Sequence, residues 1–310
     1  MNTQPLVSVI IPNYNHAPYL RQRIDSVVHQ TYRNFEVIIL DDHSTDNSME
    51  IINDYNDNKH ISRIVSNEQN TANTFLQWEK GFSLSNGDLI WIAESDDYAD
   101  VHLLEKAVAE FNDNENVVLT LFHSQLIDAD GKEINTDYDK RSPQKKTTWN
   151  GTDFVRKRCC FHNSIYNASM TVFKKKAIEQ VNPYYLQLKH CGDWAFWTEI
   201  AMQGDVVEIP QKLNYYRQHN NNVTKHGIKS EQAFFENAKI MTYLSEKLKL
   251  TPYQKKCLKG KMSKKLKNAK QSQKQLIQEF PDIYDGKLLD KIIYTIDKIF
   301  DFSSLEFNKQ

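Results

Sequence analysis

The 310-residue sequence has few cysteines, no long apolar run and almost no net charge. Its four cysteines contain no Cys-x-x-Cys pair, so neither a zinc site nor a disulfide framework is expected. Lys and Arg (39) nearly balance Asp and Glu (40), which gives no general attraction for nucleic acid. No stretch reaches the ~20 apolar residues that span a bilayer, and residues 1–14 do not resemble a signal peptide. We therefore expect a globular protein of the reducing cytoplasm.

Two glycine-rich motifs that bind phosphates are also missing. The first predicted strand is followed by Pro12-Asn13-Tyr14-Asn15, which contains no glycine, and neither GxGxxG nor GxxxxGK[ST] follows it. Their absence argues against a dinucleotide enzyme and a P-loop NTPase. It also argues against a sugar nucleotidyltransferase, which needs a glycine-rich loop at this place.

Short apolar runs alternate with helical patterns in the first hundred residues. The runs cover residues 7–11, 35–40, 61–65 and 89–93, and each has the length of one buried strand. Between the first two, Leu20, Ile24 and Val27 recur on one helical face. This rhythm predicts parallel βαβ units.

The pattern changes after a further apolar run at residues 117–122. Residues 127–134 suggest a hairpin, and strands are predicted at 169–173, 206–209 and 213–216, around a helix that carries Trp194 and Trp197. From residue 227 onward the chain is helical in pattern and rich in lysine. The prediction is an α/β fold, a mostly parallel sheet flanked by helices, with a C-terminal helical extension.

Acidic residues follow two of the predicted parallel strands. Asp41 and Asp42 come after the second strand, and Glu94, Asp96 and Asp97 after the fourth. Ligands bind beyond the carboxyl ends of such strands, where these acids would repel one another without a cation. A divalent ion, Mg²⁺ or Mn²⁺, fits them and commonly binds phosphate oxygens as well. The alternative is that Asp96 and Asp97 only cap the next helix.

Two residues at this rim suit a nucleotide base. Tyr14 can stack on a base, and Asp41 can accept the imide hydrogen of uracil, which cytosine lacks. The alternatives are a core position for Tyr14 and a turn position for Asp41. These residues favour a uridine nucleotide.

Residues 7–48 (VSVIIPNYNHAPYLRQRIDSVVHQTYRNFEVIILDDHSTDNS) resemble the start of family 2 glycosyltransferases, which have the GT-A fold. The resemblance continues through WIAESDDYAD at 91–100 and GDWAFWTEIAMQGDVVEIPQKLNYYRQHNNNVT at 192–224. It covers about residues 5 to 224 and implies a nucleotide-sugar half at 1–115 and an acceptor half at 116–224. Residues 225–310 form the extension outside it.

The resemblance also implies roles for individual residues. Asp193 matches the family's general base, which makes direct, inverting transfer the expected mechanism. Asp96, Asp97 and His219 are implied around the metal. The implied nucleotide-sugar contacts are Pro12, Tyr14, Asn15, Asp41, Lys80 and Asp96.

Three positions depart from the family pattern. Glu94 stands where Asp is usual, Trp78 where many relatives have Arg, and Gly192 where Glu commonly precedes the catalytic Asp. Without that Arg, the phosphate charge is left to the metal, Lys80 or Arg217.

The expected function is transfer of a sugar from a UDP-sugar to a hydroxyl group of a glycan or lipid-linked glycan, in surface polysaccharide or lipopolysaccharide synthesis. A lysine run at 255–270 suggests either a solvated helix face or peripheral contact with the inner face of the membrane. The main alternative function is a nucleotide-sugar-binding module without turnover. A receiver-like phosphoacceptor, suggested by Asp41 and Asp42, fits the chain length poorly.

Overall fold

A computed structural model describes residues 4–136, 138, 142–219 and 231–300 of the chain. Nine strands in these residues form one sheet. They are β1 (Val7–Asn13), β2 (Phe35–Asp41), β3 (Ile61–Ser66), β4 (Leu89–Ile92), β5 (Tyr98–Ala99), β6 (Val117–Ile127), β7 (Thr147–Asn150), β8 (Thr171–Lys174) and β9 (Asp205–Arg217).

Helices flank the sheet and make up the C-terminal region. They are α1 (Ala17–Val28), α2 (Ser48–Asn53), α3 (Thr74–Leu84), α4 (Leu103–Asp113), α5 (Gly151–Phe154), α6 (Gly192–Ala201), α7 (Glu231–Lys247), α8 (Pro252–Lys265), α9 (Gln273–Glu279), α10 (Pro281–Tyr284) and α11 (Leu288–Phe300). A π-helical turn covers Val155–Cys159, and 3-10 turns cover Ala168–Met170, Lys175–Gln180, Pro183–Gln187 and Leu266–Ser272.

The sheet order is β3-β2-β1-β4-β8-β6-β9-β5, with β7 also paired to β9. Strands β1 to β4 are parallel neighbours, as the βαβ rhythm predicts. Strand β8 runs antiparallel between β4 and β6, and β9 lies parallel to β6. The predicted α/β fold is therefore confirmed, with a mixed sheet in which four strand pairings are parallel and four are antiparallel.

Apolar cores cover both faces of this sheet. In β1, Val9 and Ile11 point to the face covered by α1 and α4, while Ile10 points to the face covered by α3 and α6. A strand buried on both faces needs apolar residues at every position, which explains the unbroken runs in the sequence. Helix α3 lies so close to β1 that a Cβ at Gly81 would meet Ile10 at 2.5 Å.

Two predicted elements differ in the structure. Residues 206–209 and 213–216 were expected as separate strands, but both belong to β9. The pairing with β6 shifts between them, where Ile209 faces Phe122 and Lys212 faces His123. Pro210, which has no N–H to donate, lies in that irregularity. The expected hairpin at 127–134 is present but short: Ile127 and Glu133 form one antiparallel bridge, and the Asp128 and Ile134 N–H groups donate to the carbonyls of Lys132 and Leu126.

The described part of the extension, residues 231–300, is helical, as predicted. Its buried residues, among them Ile240, Leu244 and Leu258, belong to the same apolar cluster as α3 and α6. The extension is thus packed against the sheet domain and not merely appended to it. The predicted boundary at 224/225 lies outside the described residues. Among those described, no helix has the length and apolar character needed to cross a bilayer.

Candidate active site

The carboxyl ends of β1, β2 and β4 meet at one rim of the sheet. Asn13 ends β1 opposite Asp41 at the end of β2, and its Nδ2 donates to Asp41 Oδ1 at 2.8 Å. Pro12 is buried one residue earlier. The Asp41 carboxylate is buried and also accepts from the Ser44 N–H at 2.9 Å. Asp41 is thus held rigidly at the rim by the last residue of β1 and by the loop that follows β2.

The loop after β1 turns sharply at Asn15, which has a φ of 55°. Asparagine tolerates this left-handed conformation better than most residues. Its Oδ1 accepts from the N–H groups of Thr45 (2.7 Å) and Asp46 (3.3 Å), which ties the first loop to the second. The side chain of Tyr14 is left 45% exposed. In the structure, Asn15 therefore connects the loops that follow β1 and β2, and the Tyr14 ring is accessible for stacking.

The neighbouring acid, Asp42, fastens the loop before α3. Its carboxylate accepts from Asn67 Nδ2 at 2.6 Å, from Thr71, and from Gln77 Nε2 at 3.0 Å. The ammonium group of Lys80 donates to the other side of the Asn67 amide. Lys80, predicted to face the phosphates, is therefore joined to this network at the edge of the rim.

Three side chains that share no sequence motif converge after β4. Candidate ligand atoms of His16, Asp96 and His219 all lie within 4.8 Å of one another. His219 Nε2 is 3.0 Å from Asp96 Oδ2, and His16 Nδ1 is 2.8 Å from Ser95 Oγ. Burial lowers the pKa of His16 despite the nearby Asp96 carboxylate. His16 is thereby held in the neutral form that binds metal ions.

This His16/Asp96/His219 cluster fits a divalent metal ion. Burial would raise the pKa of Asp96, but favourable interactions, chiefly the hydrogen bond from His219, outweigh it, so the pKa lies below its usual value. A metal ligand must be deprotonated, which this environment favours. Because imidazole nitrogen is a ligand of transition metals rather than of Mg²⁺, the set suits Mn²⁺ better.

Asp97 lies apart from this cluster, in the interior. Its Oδ2 accepts from Asn167 Nδ2 and Ser169 Oγ, both at 2.8 Å, and its Oδ1 accepts from the Arg217 N–H at 2.9 Å. The buried Arg23 guanidinium is 3.9 Å away. The structure does not bring this predicted metal ligand together with Asp96 and His219.

Arg217 is also occupied by protein groups. Its guanidinium donates to the carbonyls of Asp96 (2.8 Å), Asp128 and Ala129 (both 3.1 Å), and lies 4.6 Å above the Tyr19 ring. It is 2% exposed. Its observed contacts position the Asp96 backbone.

Two of the residues that depart from the family pattern, Trp78 and Glu94, contact each other. Trp78 Nε1 donates to Glu94 Oε1 at 3.1 Å. Burial and the neighbouring Asp96 raise the pKa of Glu94 to about 8, so this carboxyl group is mostly protonated at neutral pH. A neutral acid needs no cationic partner, which is consistent with tryptophan where relatives have arginine.

Asp193 lies in the first turn of α6 and is half-buried. Burial raises its pKa to about 6, although Asn163 Nδ2 donates to its Oδ2 at 2.9 Å and favours the charged form. A carboxylate with this pKa suits a general base near neutral pH. Asn167, four residues after Asn163, contacts Asp97, so one short segment joins Asp193 to the rim.

The extension contributes a residue that sequence analysis missed. Glu236 of α7 is buried, and its carboxylate accepts from the N–H groups of Lys189 (2.9 Å), His190 (2.7 Å) and Cys191 (3.1 Å). These residues immediately precede α6 and Asp193. No local sequence signal marks Glu236, because these three backbone partners lie more than forty positions away.

The pH dependence of transfer should respond oppositely to two substitutions near Asp193. Asn163→Ala removes a hydrogen bond that favours the carboxylate, so the acidic limb, expected near pH 6, should move up by about half a pH unit. Glu236→Gln removes a negative charge that raises the Asp193 pKa, so the limb should move down. Transfer rates between pH 5 and 8 measure both.

Asn182→Ala serves as the matched control, because Asn182 caps the short helix at Pro183–Gln187 through the Tyr184 N–H. Its profile should match the unmodified protein. If Asn163→Ala and Glu236→Gln moved the limb in the same direction, or left it in place, a group other than Asp193 would govern it.

Comparison with known proteins adds to this geometry. The family model described as glycosyl transferase family 2 matches residues 8–180. An uncharacterized glycosyltransferase of Nostoc sp. is 29% identical over 236 residues, which cover 73% of this chain and 69% of that protein. A hyaluronan synthase of Pasteurella multocida is 32% identical over 154 residues, which cover 48% of this chain and 15% of that protein.

Among solved structures, S. aureus TarS 1-349 in complex with UDP-GlcNAc superposes with a TM-score of 0.64. The alignment covers 93% of this chain and 78% of that chain at 16% sequence identity. At this identity the similarity shows a shared fold.

Proposed function

The chain belongs to glycosyl transferase family 2, and we propose that it transfers a sugar from a UDP-sugar to a hydroxyl group of a glycan or lipid-linked glycan. Residues 1–115 hold the donor and residues 116–224 the acceptor in this proposal. The observation that carries it is the His16/Asp96/His219 cluster, beside the rim of Pro12, Tyr14 and Asp41. A UDP-GlcNAc complex of a protein with the same fold supports the choice of donor.

The donor would lie across the rim. Tyr14 offers an exposed ring to the uracil, and Asp41 a rigid carboxylate to its imide hydrogen. Asp96 and His219, with His16, would hold a divalent ion, and Asp97, the further ligand predicted from the motif, would instead keep its contacts with Arg23 and the Arg217 backbone. When bound, that ion offsets the negative charge that develops on the leaving nucleoside diphosphate.

Asp193 would act as the general base. The acceptor hydroxyl is a weak acid, so its proton moves to the Asp193 carboxylate late, as the oxygen bonds to the anomeric carbon. The bond from that carbon to the diphosphate oxygen breaks, and its electron pair leaves with UDP. Attack from the face opposite the leaving group inverts the anomeric centre.

A glycan or lipid-linked glycan acceptor suggests a role in building the cell surface. We propose that the enzyme acts in polysaccharide or lipopolysaccharide assembly in the cytoplasm and contacts the inner membrane face through its basic extension. Three lysines of the predicted 255–270 run contact protein groups: Lys259 pairs with Asp282, Lys261 donates to the Phe161 carbonyl, and Lys264 donates to Thr295. Lys255, Lys256 and Lys265 are exposed.

Nucleotide binding tests the donor site directly. Isothermal titration of the protein with UDP, GDP and dTDP, each with and without Mn²⁺, should show tight binding of UDP only in the presence of Mn²⁺. Tighter binding of another diphosphate would replace the proposed donor, and no binding in any condition would overturn the proposed function.

A further inference from the structure

Helix α11 presents four apolar side chains to the solvent. Leu288, Leu289, Ile292 and Ile296 are 74%, 58%, 47% and 42% exposed. Their spacing of three, four and seven places them on one stripe of the helix. Single exposed apolar residues are normal, but a continuous stripe marks an interaction surface.

The side of α11 that faces away from the solvent carries acidic residues. Two acidic residues, Asp290 and Asp297, are each 8% exposed and lie on the buried side. The backbone of Asp290 fits against Gly260 of α8 so closely that a Cβ on that glycine would meet its carbonyl oxygen at 2.1 Å. Helix α11 therefore packs on α8 through the side that carries Asp290 and Tyr294, which leaves the apolar stripe outward.

Lysines accompany the stripe along one edge. Lys291 and Lys298, seven residues apart, lie beside it on α11, and Lys287 precedes the helix. Lys264 of α8 reaches the same edge, where its Nζ donates to Thr295 Oγ1 at 2.6 Å. Residues 231–300 contain 15 lysines and eight acidic residues, whereas the whole chain has a formal charge of -1. The positive charge is thus concentrated in the region that carries the stripe.

We propose that the outward stripe of α11, with the lysines at its edge, docks on an anionic lipid bilayer. Apolar side chains flanked by lysines are typical of helices that lie in the plane of a membrane, where each basic residue contributes ~1 kcal/mol near the surface. A second copy of the chain fits less well, because pairing two such surfaces would bring like charges together. Four partly exposed side chains are also far short of the roughly 800 Å² per partner of a stable dimer.

The surface is connected to the acceptor side of the enzyme. Lys261 of α8, the helix that supports α11, donates to the Phe161 carbonyl at 2.5 Å, two residues before Asn163. Docking through α11 specifies the membrane contact that is part of the proposed function. Only the link between docking and a lipid-linked acceptor rests on that function. Docking itself depends on the stripe and the lysines.

Vesicle flotation with the full chain tests the docking. The protein should float with phosphatidylcholine vesicles that contain 30% phosphatidylglycerol, less in high salt, and not with pure phosphatidylcholine. Ile292→Ser combined with Ile296→Ser should reduce binding about tenfold or more. Ile277→Ser is the matched control, because Ile277 is 37% exposed on α9 of the same extension. It should bind like the unmodified protein.

Docking would be overturned if the unmodified protein did not float or if the double variant floated fully. It would also be overturned if light scattering showed that the unmodified protein is a dimer and the double variant a monomer. UDP titration of each protein separates this inference from the proposed function. Vesicle binding without UDP binding would overturn the function and leave docking supported. UDP binding without vesicle binding would overturn docking and leave the proposed function supported.

Discussion

Asp193→Asn should abolish sugar transfer and leave donor binding intact. The amide cannot accept the acceptor's proton, and loss of a general base costs about 10²–10⁴-fold in rate. Asparagine has nearly the same size and keeps an oxygen to accept from Asn163, so the local structure should persist. Product formation from UDP-sugar measures the first effect, and titration with UDP and Mn²⁺ measures the second.

The nearby Glu199→Gln variant is the matched control. Glu199 lies on the same helix, α6, but its carboxylate accepts from Lys247 Nζ at 2.7 Å, on the side that faces the extension. Its transfer rate should stay within a few-fold of the unmodified protein. If Asp193→Asn retained normal turnover, Asp193 would not be the base. If it lost UDP binding as well, its role would be structural.

Asp96→Asn should remove Mn²⁺-dependent UDP binding and with it nearly all transfer. The substitution replaces the anionic ligand of the His16/Asp96/His219 cluster, and a bound divalent ion supplies several kcal/mol of charge stabilisation, which corresponds to about 10³-fold or more in rate. Chelation of the unmodified protein by EDTA should have the same effect, and Mn²⁺ should restore activity better than Mg²⁺. Mn²⁺ electron paramagnetic resonance reports binding without reference to activity.

Asp97→Asn provides the sharpest comparison, because the two acids are adjacent in the chain. Asp97 faces buried Arg23, and removing one partner of a buried ion pair costs about 3 kcal/mol or more in unfolding free energy. Its Mn²⁺ affinity should nevertheless stay close to that of the unmodified protein. Loss of Mn²⁺ binding in a folded Asp97→Asn protein would instead make Asp97 a ligand, as its motif suggests.

The sheet domain could be predicted because its signals are local. Each buried parallel strand needs an unbroken apolar run, and each covering helix needs an apolar stripe, so runs and stripes alternate visibly in the first hundred residues. The rim could be predicted for the same reason, since parallel strands carry their following loops to one edge. The prediction of two separate strands at 206–209 and 213–216 was wrong. Pro210 is typical of a strand end, and only the pairing with β6 shows that β9 continues through it.

The sequence by itself determined the fold class, the family and the acids at the strand ends. Only the tertiary structure decided which side chains meet. His16 joins Asp96 because α1 begins beside the end of β4, eighty residues away in the chain. Asp96 and Asp97 diverge because Asp96 lies in a turn, closed by the Asp97 N–H donating to the Glu94 carbonyl, whereas Asp97 leads directly into β5. Periodicity likewise reveals that α11 has an apolar stripe but not which side has a partner. That depends on the fit of Asp290 against Gly260, a contact between distant residues that local patterns cannot encode.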